Sequence, residues 1–489
     1  MSGLSTALTQ ALSGLVVSQS QTAVVSRNIT RASDEDYTRK ILGLTTDFAG
    51  NARAANISRV VEQKLTDAVS ASKSIMSGQQ VTSDALQTLS ETIGDVEADG
   101  SIAWGIGQLQ VALSDYEASP SSLTAANNAV AVAGRLAQSL NDASGIVSGL
   151  RQQSDSGISA SVDNANKILS EIEEINGQIT SAGSDSGTVA ELLDKRDAAI
   201  KRLSEEMGVR TVQRPNNGIA IYTDSGVTLF DVKARSITFS ATPSLTPGVP
   251  GNAVYVDGVQ VTGAGAPMPL RSGRIVSQVD VRDNLTTAYQ SQLDEVARGL
   301  ISQFSESDQS GASLPDATGL FSYTGSPAVP LAGTVYPGLA SEIKINAAFD
   351  TTQGGNASLL RDGGANGAAY VYNTTGASGF QGRIASLISG LDKPASFDAA
   401  TGLDPNANLK NFASLSAGWI EQKRSEADRK LDTVEASYQR ATDALAKKSG
   451  VNIDEEMATL LNLEKSYQAS AKIMSTVDQM MSTLMEIVR

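Results

Sequence analysis

The 489-residue chain contains no cysteine and no histidine. The first absence rules out disulfides, a thiolate nucleophile and cysteine-ligated zinc. The second removes the usual general base near neutral pH and every His-dependent triad, which weighs against an enzyme. Positive charge is also scarce: 38 basic residues face 53 acidic ones, a net charge of −15. That balance argues against nucleic acid and anionic membrane as main partners, since both reward clustered Lys and Arg. No run approaches the ~18 apolar residues of a membrane-spanning helix. Residues 1–26 hold no charged side chain, and Gln10, Gln19 and Gln21 interrupt their apolar character. They therefore lack both the basic and the hydrophobic region of a signal peptide, so export, if it occurs, is expected by a route that reads no ordinary signal. No cofactor is expected.

Proline is absent from long stretches. Pro120 is the only one before Pro215, and none follows Pro405. Because proline breaks helix interiors and central strands, both ends of the chain are open to long helices. The middle, with five prolines between Pro243 and Pro269, is not. Residues 209–270 and 312–378 are correspondingly rich in Gly, Thr, Val and Pro.

Heptad stripes dominate what is present. At the amino end they read Leu4, Leu8, Ala11, Leu15, Ser18, Thr22, Val25, Ile29. At the carboxyl end they read Leu460, Leu463, Tyr467, Ser470, Met474, Val477, Met481, Leu484, Val488. Steps of four and three place these residues along one seam of a helix. Ala165–Ile179 and Leu431–Leu445 carry similar stripes, and Tyr289–Leu300 predicts a helix near 283–305. Lys447, Lys448 and Gly450 predict a helix end with a left-handed glycine; Asn452 and Glu455 predict the capped start of the next helix. In the middle, Val209–Gln213 with Ile219–Tyr222, and Ala253–Val256 with Val259–Thr262 around Asp257-Gly258, predict hairpins. Glu342–Ile345 and Ala369–Tyr372 are further strand candidates.

Motifs for chemistry are few. Gly105-Ile106-Gly107 lacks the third glycine of a dinucleotide loop and reads as a joint between helices. Asp194/Asp197 and Asp280/Asp283 could ligate a hard cation, but read better as solvated faces or ion pairs with Lys195, Arg196 and Arg282. No metal site is expected. The terminal stripes carry more information. They are either the buried faces of one intramolecular bundle or interfaces for other chains. Full burial of Leu4, Leu8, Leu15, Val25 and Ile29 contributes on the order of 10 kcal/mol, less than the ~1–2 kcal/mol per residue needed to order the backbone of that helix. The amino-terminal helix is therefore expected to be loose alone and to fold against partners. The expected assembly interface is Leu4, Leu8, Ala11, Leu15, Val25, Ile29, Leu460, Leu463, Tyr467, Met474, Val477, Met481, Leu484 and Val488.

Ser26–Lys40, SRNITRASDEDYTRK, resembles the bacterial flagellar axial-protein signature, commonly SNNIANANTPGYSRQ. Ser26, Asn28, Ile29, Ala32, Tyr37 and Arg39 match; Asp34-Glu35-Asp36 stand where the pattern has Thr-Pro-Gly. Ser449–Leu484 is similar to the matching carboxyl-terminal signature through Ser449-Gly450-Val451-Asn452, Asp454-Glu455-Glu456, Tyr467-Gln468-Ala469 and Ala471-Lys472. Glu191–Val212 and Arg282–Phe304 resemble segments of the flagellar hook-associated protein 1 family (FlgK). The resemblance implies a structural subunit of the hook–filament junction, outside the cell and without a cleaved signal peptide. It implies flagellar type III export and polymerisation into a tubular lattice through terminal helices. The implied neighbours are further copies of itself, hook protein and hook-associated protein 3, with an export chaperone on the carboxyl-terminal helix. Hook protein or hook-associated protein 3 itself is the alternative identity. No nucleic acid and no membrane insertion are implied.

The fold expected is mainly α with β-rich insertions. Residues 1–40 and 452–489 form a terminal domain of long coiled-coil helices. Residues 41–208, 280–311 and 379–451 form a discontinuous helical domain. Inserts 209–279 and 312–378 form one or two outer β domains.

Overall fold

The structure is a computed structural model describing residues 2–48, 50–93, 101–183 and 186–487. It is mainly helical, with long helices at both ends and four small antiparallel sheets. Helix α1 (Ser2–Thr30) leads into a hairpin of β1 (Lys40–Thr46) and β2 (Ala52–Arg59). Four helices follow: α2 (Gln63–Ile93), α3 (Ile102–Ala118), α4 (Leu123–Ser181) and α5 (Ser186–Glu206). A four-stranded sheet comprises β3 (Val209–Gln213), β4 (Ile219–Thr223), β5 (Thr228–Asp231) and β6 (Lys233–Ala234) in that order. A three-stranded one comprises β7 (Ile237–Thr238), β8 (Tyr255–Val256) and β9 (Val259–Gln260). Helices α6 (Arg274–Asp280) and α7 (Thr286–Gln303) join through a π turn at Val281–Leu285. The second insert holds β10 (Phe321–Ser322), α8 (Leu339–Glu342), β11 (Lys344–Ile345) and α9 (Leu359–Asp362). Helices α10 (Gly382–Leu391), α11 (Leu409–Ser449) and α12 (Ile453–Ile487) complete the chain.

Helix α4 organises the body. Pro120 precedes it, and the Ser122 side chain accepts the Ala125 N–H at 3.2 Å, capping its start. Its 59 residues span about 90 Å at 1.5 Å per residue. The amino-terminal half, from Ala126 to Leu150, enters one core with α3, α7, α10, the start of α11, and Phe321, Leu339, Phe349 and Leu360 of the second insert. The other half, from Ile158 to Ile172, enters a second core with α5, α6 and the strands between Ile219 and Val261. Each insert thus shares its core with helices. Between the two cores, buried Arg282 donates to Asp155 at 2.6 Å, while Arg151 donates to the carbonyls of Leu245, Thr246 and Val249.

Several local expectations find their place. Asn452 caps α12, its Oδ1 accepting the N–H groups of Asp454 and Glu455. Asp257-Gly258 turns the β8–β9 hairpin with both residues at positive φ. Others differ. Gly450 is extended, at φ −77° and ψ 172°, not left-handed. Glycine is required there for a different reason: a Cβ would lie 2.4 Å from the Ala446 carbonyl oxygen. Ala369–Tyr372 is no strand, because Gly363, Gly364 and Gly367 at positive φ fold the segment into a 3-10 turn with one bridge at Val371. Only Lys344–Ile345 of the Glu342–Ile345 candidate is strand. Gly105 and Gly107 lie within α3 rather than at a joint, Gly105 letting Leu136 of α4 approach to 3.0 Å of where a Cβ would be.

Candidate functional site

The two chain ends meet. Asn28 bonds Glu456 and Gly14 faces Ser470, so α1 and α12 run antiparallel. Ala11, Val25 and Val477 are buried. Leu4, Leu8, Leu15, Ile29, Leu460, Leu463, Met474 and Met481 are partly buried. Tyr467 and Leu484 remain 45% and 39% exposed, and Val488 lies outside the described residues. Most of the two stripes therefore face each other inside one chain, the first of the two arrangements open to them. The physical reason is their equal repeat: two complementary seams on one polypeptide pack without waiting for a neighbour. A separate apolar set points outward: Leu12 and Val16 on α1, and Met457, Leu461, Ile473 and Met480 on α12, each between 44% and 55% exposed. The stripe pattern missed these residues because they flank the seam instead of lying in it.

The signature residues build a polar joint at the base of this pair. Asn28, 1% exposed, uses its whole amide: Nδ2 donates to the Lys40 carbonyl (2.9 Å) and to Glu456 (3.0 Å), while Oδ1 accepts from the Tyr37 hydroxyl (2.9 Å) and the Lys40 N–H (3.1 Å). Arg39 donates through Nε to Glu456 at 2.6 Å, and its backbone N–H donates to the Ser449 carbonyl at 2.8 Å. Amino-terminal helix, hairpin and carboxyl-terminal helix are thereby clasped together. Ile29, next to Asn28 in the signature, is partly buried.

A second layer ties the clasp to the helical body through α5. The buried Lys40 ammonium donates to Asp194 at 2.6 Å and sits 3.6 Å from the centre of the Tyr37 ring. Arg59 reaches both Asp194 (2.9 Å) and Asp197 (2.8 Å), and the Thr38 hydroxyl donates to Asp194 at 2.6 Å. The acidic pair thus binds Lys40 and Arg59 of the hairpin, not Lys195 or Arg196 beside it in sequence. Burial pulls the Lys40 ammonium down despite Asp194. Burial and then Asp194 push the Tyr37 hydroxyl up to about 12. For Arg59 burial is also the largest influence, but Asp197 and Asp194 together outweigh it and hold the guanidinium higher than usual. Arg27 pairs with Glu191 at 2.9 Å. Asp36 pairs with Lys201, giving the Asp34–Asp36 departure from the signature a structural role. The pairing of Asp194 with Lys40 and Arg59, and that of Lys201 with Asp36, escaped the sequence reading, since nothing local links a hairpin base to a helix some 150 residues away.

This arrangement holds elements together; its charges are consumed in pairs. Among the described residues no group of three or more Asp or Glu is placed to hold a metal ion. Nor is any described helix long and apolar enough to cross a membrane. A groove of about 760 Å³ runs along the start of α11 past Asp392, Asp404, Asn411 and Trp419.

Residues 86–321 match the model of the flagellar hook-associated protein FlgK helical domain. Residues 443–487 match that of the flagellar basal body rod FlgEFG protein C-terminal region. Together they take in more than half of the chain. No curated protein matches the sequence significantly. The fold is similar to the flagellar hook junction protein FlgK from Burkholderia pseudomallei, with a TM-score of 0.57 at 16% identity over 77% of this chain and 99% of that one. The rod-type carboxyl-terminal match falls on the helix whose Glu456 closes the clasp, and the helical-domain match falls on the body to which α5 ties it. The chain belongs to the flagellar hook-associated protein FlgK family and is a structural subunit of the hook–filament junction of the bacterial flagellum.

Proposed function

We propose that this subunit polymerises into the junction through its terminal helix pair, after flagellar type III export without a cleaved signal peptide. Hook protein is the neighbour on one side and hook-associated protein 3 on the other, with further copies of the chain around the ring. An export chaperone covers the carboxyl-terminal helix beforehand. No catalytic step enters this reading. The observation that carries it is the outward apolar set on α1 and α12, which stays in water after the two seams have packed. Side chains of this size contribute ~1.5–3 kcal/mol each when fully buried, so covering half of six gains several kcal/mol per subunit. The expected seam residues support the same reading indirectly, by holding the pair straight so that its outer faces can be shared. The absence of cysteine suits passage as an unfolded chain.

The test separates folding from assembly. Ile473→Asp with Met480→Asp changes only side chains that are 51% exposed, so the far-UV circular dichroism and urea midpoint of the free subunit should be unchanged. Attachment to isolated hooks, and filament growth in cells carrying the variant, should be lost. Normal filaments from the double variant would refute assembly through this pair.

A further inference from the structure

Helix α4 is continuous from Leu123 to Ser181, yet its middle has no apolar grip. The first core ends on it at Leu150 and the second begins at Ile158. Between them Arg151–Gly157 reads RQQSDSG, without one apolar side chain. Ser, Asp and Gly are also poor helix formers. Just before this stretch Gly145 and Gly149 are exposed, and a Cβ at either would meet nothing within 4 Å. No neighbour requires glycine there, and each weakens the helix relative to alanine. Arg151 Nε donates to the Arg282 carbonyl at 3.0 Å, which places the π turn Val281–Leu285 between α6 and α7 at the same level. On another side Val81 and Ala85 of α2 face Leu150, Ser154 and Gly157 across a cleft of about 230 Å³. What holds this waist is directional. Asp155 Oδ1 accepts from Arg282 (2.6 Å) and from the Thr242 hydroxyl (2.9 Å), and its Oδ2 accepts the Thr242 N–H (2.8 Å). The rest of the Arg282 guanidinium donates to Asp283 and to the Asn252 carbonyl. Thr242 belongs to the proline-rich strap between β7 and β8, whose Pro247 and Gly248 lie against Gly338 and Pro337 of the second insert. A fully satisfied buried network specifies one arrangement, and loss of one member loosens the rest.

We propose that the waist is a latched hinge: α4 bends between Gly145 and Gly157, the lobes built on the two cores swing about it, and the Asp155–Arg282–Thr242 network is the latch of the straight form. Bending toward α2 closes the cleft, which leaves α2 room to follow. The lobe that contains α5 holds the chain ends through Lys40 and Asp194. The other lobe can therefore tilt while the terminal pair keeps its place.

The chain's lack of cysteine provides the test. Full-length protein with Lys233→Cys and Ser386→Cys, one exposed site in each lobe, carries two spin labels and no other thiol. Double electron–electron resonance then reads the spread of distances between the lobes. A pair within one lobe, Gln138→Cys with Ser386→Cys, gives the spread of a rigid body. Asp155→Asn should widen the cross-lobe distribution roughly twofold and leave the control pair unchanged. Adding Gly145→Ala, Gly149→Ala and Ser156→Ala, all at exposed positions, should remove most of that widening. A cross-lobe distribution unchanged by Asp155→Asn would overturn the latch, and widening that survives the three alanines would overturn a bend in α4. Should Asp155→Asn lose the circular dichroism spectrum of wild type, Thr242→Val, which takes only the hydroxyl bond from Asp155 and keeps Arg282 paired, is read in the same way.

Discussion

Replacing Asn28 by Ala should unclasp the chain ends. The amide makes four hydrogen bonds at 2.9–3.1 Å from a site 1% exposed. Ala removes all four and leaves the Tyr37 hydroxyl and the Lys40 backbone groups without the partner they have now. A buried polar group left unsatisfied costs about 1–3 kcal/mol, whereas Glu456 keeps Arg39 and loses less. The sum is about 3–4 kcal/mol, close to the upper end of single substitutions. The loss is local, since neither core contains any α1 or α12 residue. Amide hydrogen exchange should therefore quicken in α1, β1 and α12 by on the order of 10²–10³, while α4 and α7 hold their protection. Asn28→Asp sharpens the test. It keeps the acceptor but turns a 3.0 Å amide–carboxylate bond into two facing carboxylates, which cannot both ionise at low cost. Its deficit should shrink on acidification through about pH 5, where one carboxylate of such a pair takes up a proton, and that of Asn28→Ala should not. Unchanged exchange in α12 for both variants, or equal loss of protection in α4, would refute the clasp.

Two further outcomes follow from buried and strained groups. Asp294, 1% exposed, has its carboxyl pushed up to about 6, chiefly by burial and against the N–H donors of Ala340 and Gly338. A raised native pKa stabilises the fold below the unfolded value near 3.9 and loses that contribution as pH rises to the native one, so wild type should lose roughly 3 kcal/mol relative to Asp294→Asn between about pH 4 and 6; urea midpoints with a flat difference would contradict this. Val232 is β-branched, 75% exposed and held at φ +69° in the β5–β6 turn. Val232→Gly should relieve about 1–2 kcal/mol of strain and raise the melting temperature, and a lowered one would show that the turn is not strained.

Where periodicity or caps act over a few residues, the sequence was readable. The heptads of α1 and α12, the Asn452 cap and the Asp257-Gly258 turn each follow from a local rule. The β1–β2 hairpin was not anticipated, because Ile41, Leu44 and Phe48 leave its outer side apolar and so blur the alternation that marks a strand. At the clasp, Asn28, Tyr37 and Arg39 were legible through resemblance alone. Glu456 lay in the matched carboxyl-terminal run, but nothing there distinguishes it from Glu455, which is exposed and only 3.5 Å from Arg39. Asp194 looked like a surface carboxylate on an amphipathic helix. Its burial comes from a hairpin 154 residues earlier, a long-range pairing to which no spacing rule applies.

The Asn28–Glu456 bond spans 428 residues. Joining two points that far apart on an unstructured chain costs about 5 kcal/mol of entropy, more than one such contact returns. The helical body removes that obstacle, because α2 and α11 lie antiparallel, with Gln79 near Ala427 and Ser90 near Glu421, and so bring residues 60 and 449 to the same place. Maturation of the subunit consequently has a direction: the trunk must set before its extremities can knot, and a chain still missing its last forty residues has no way to finish early.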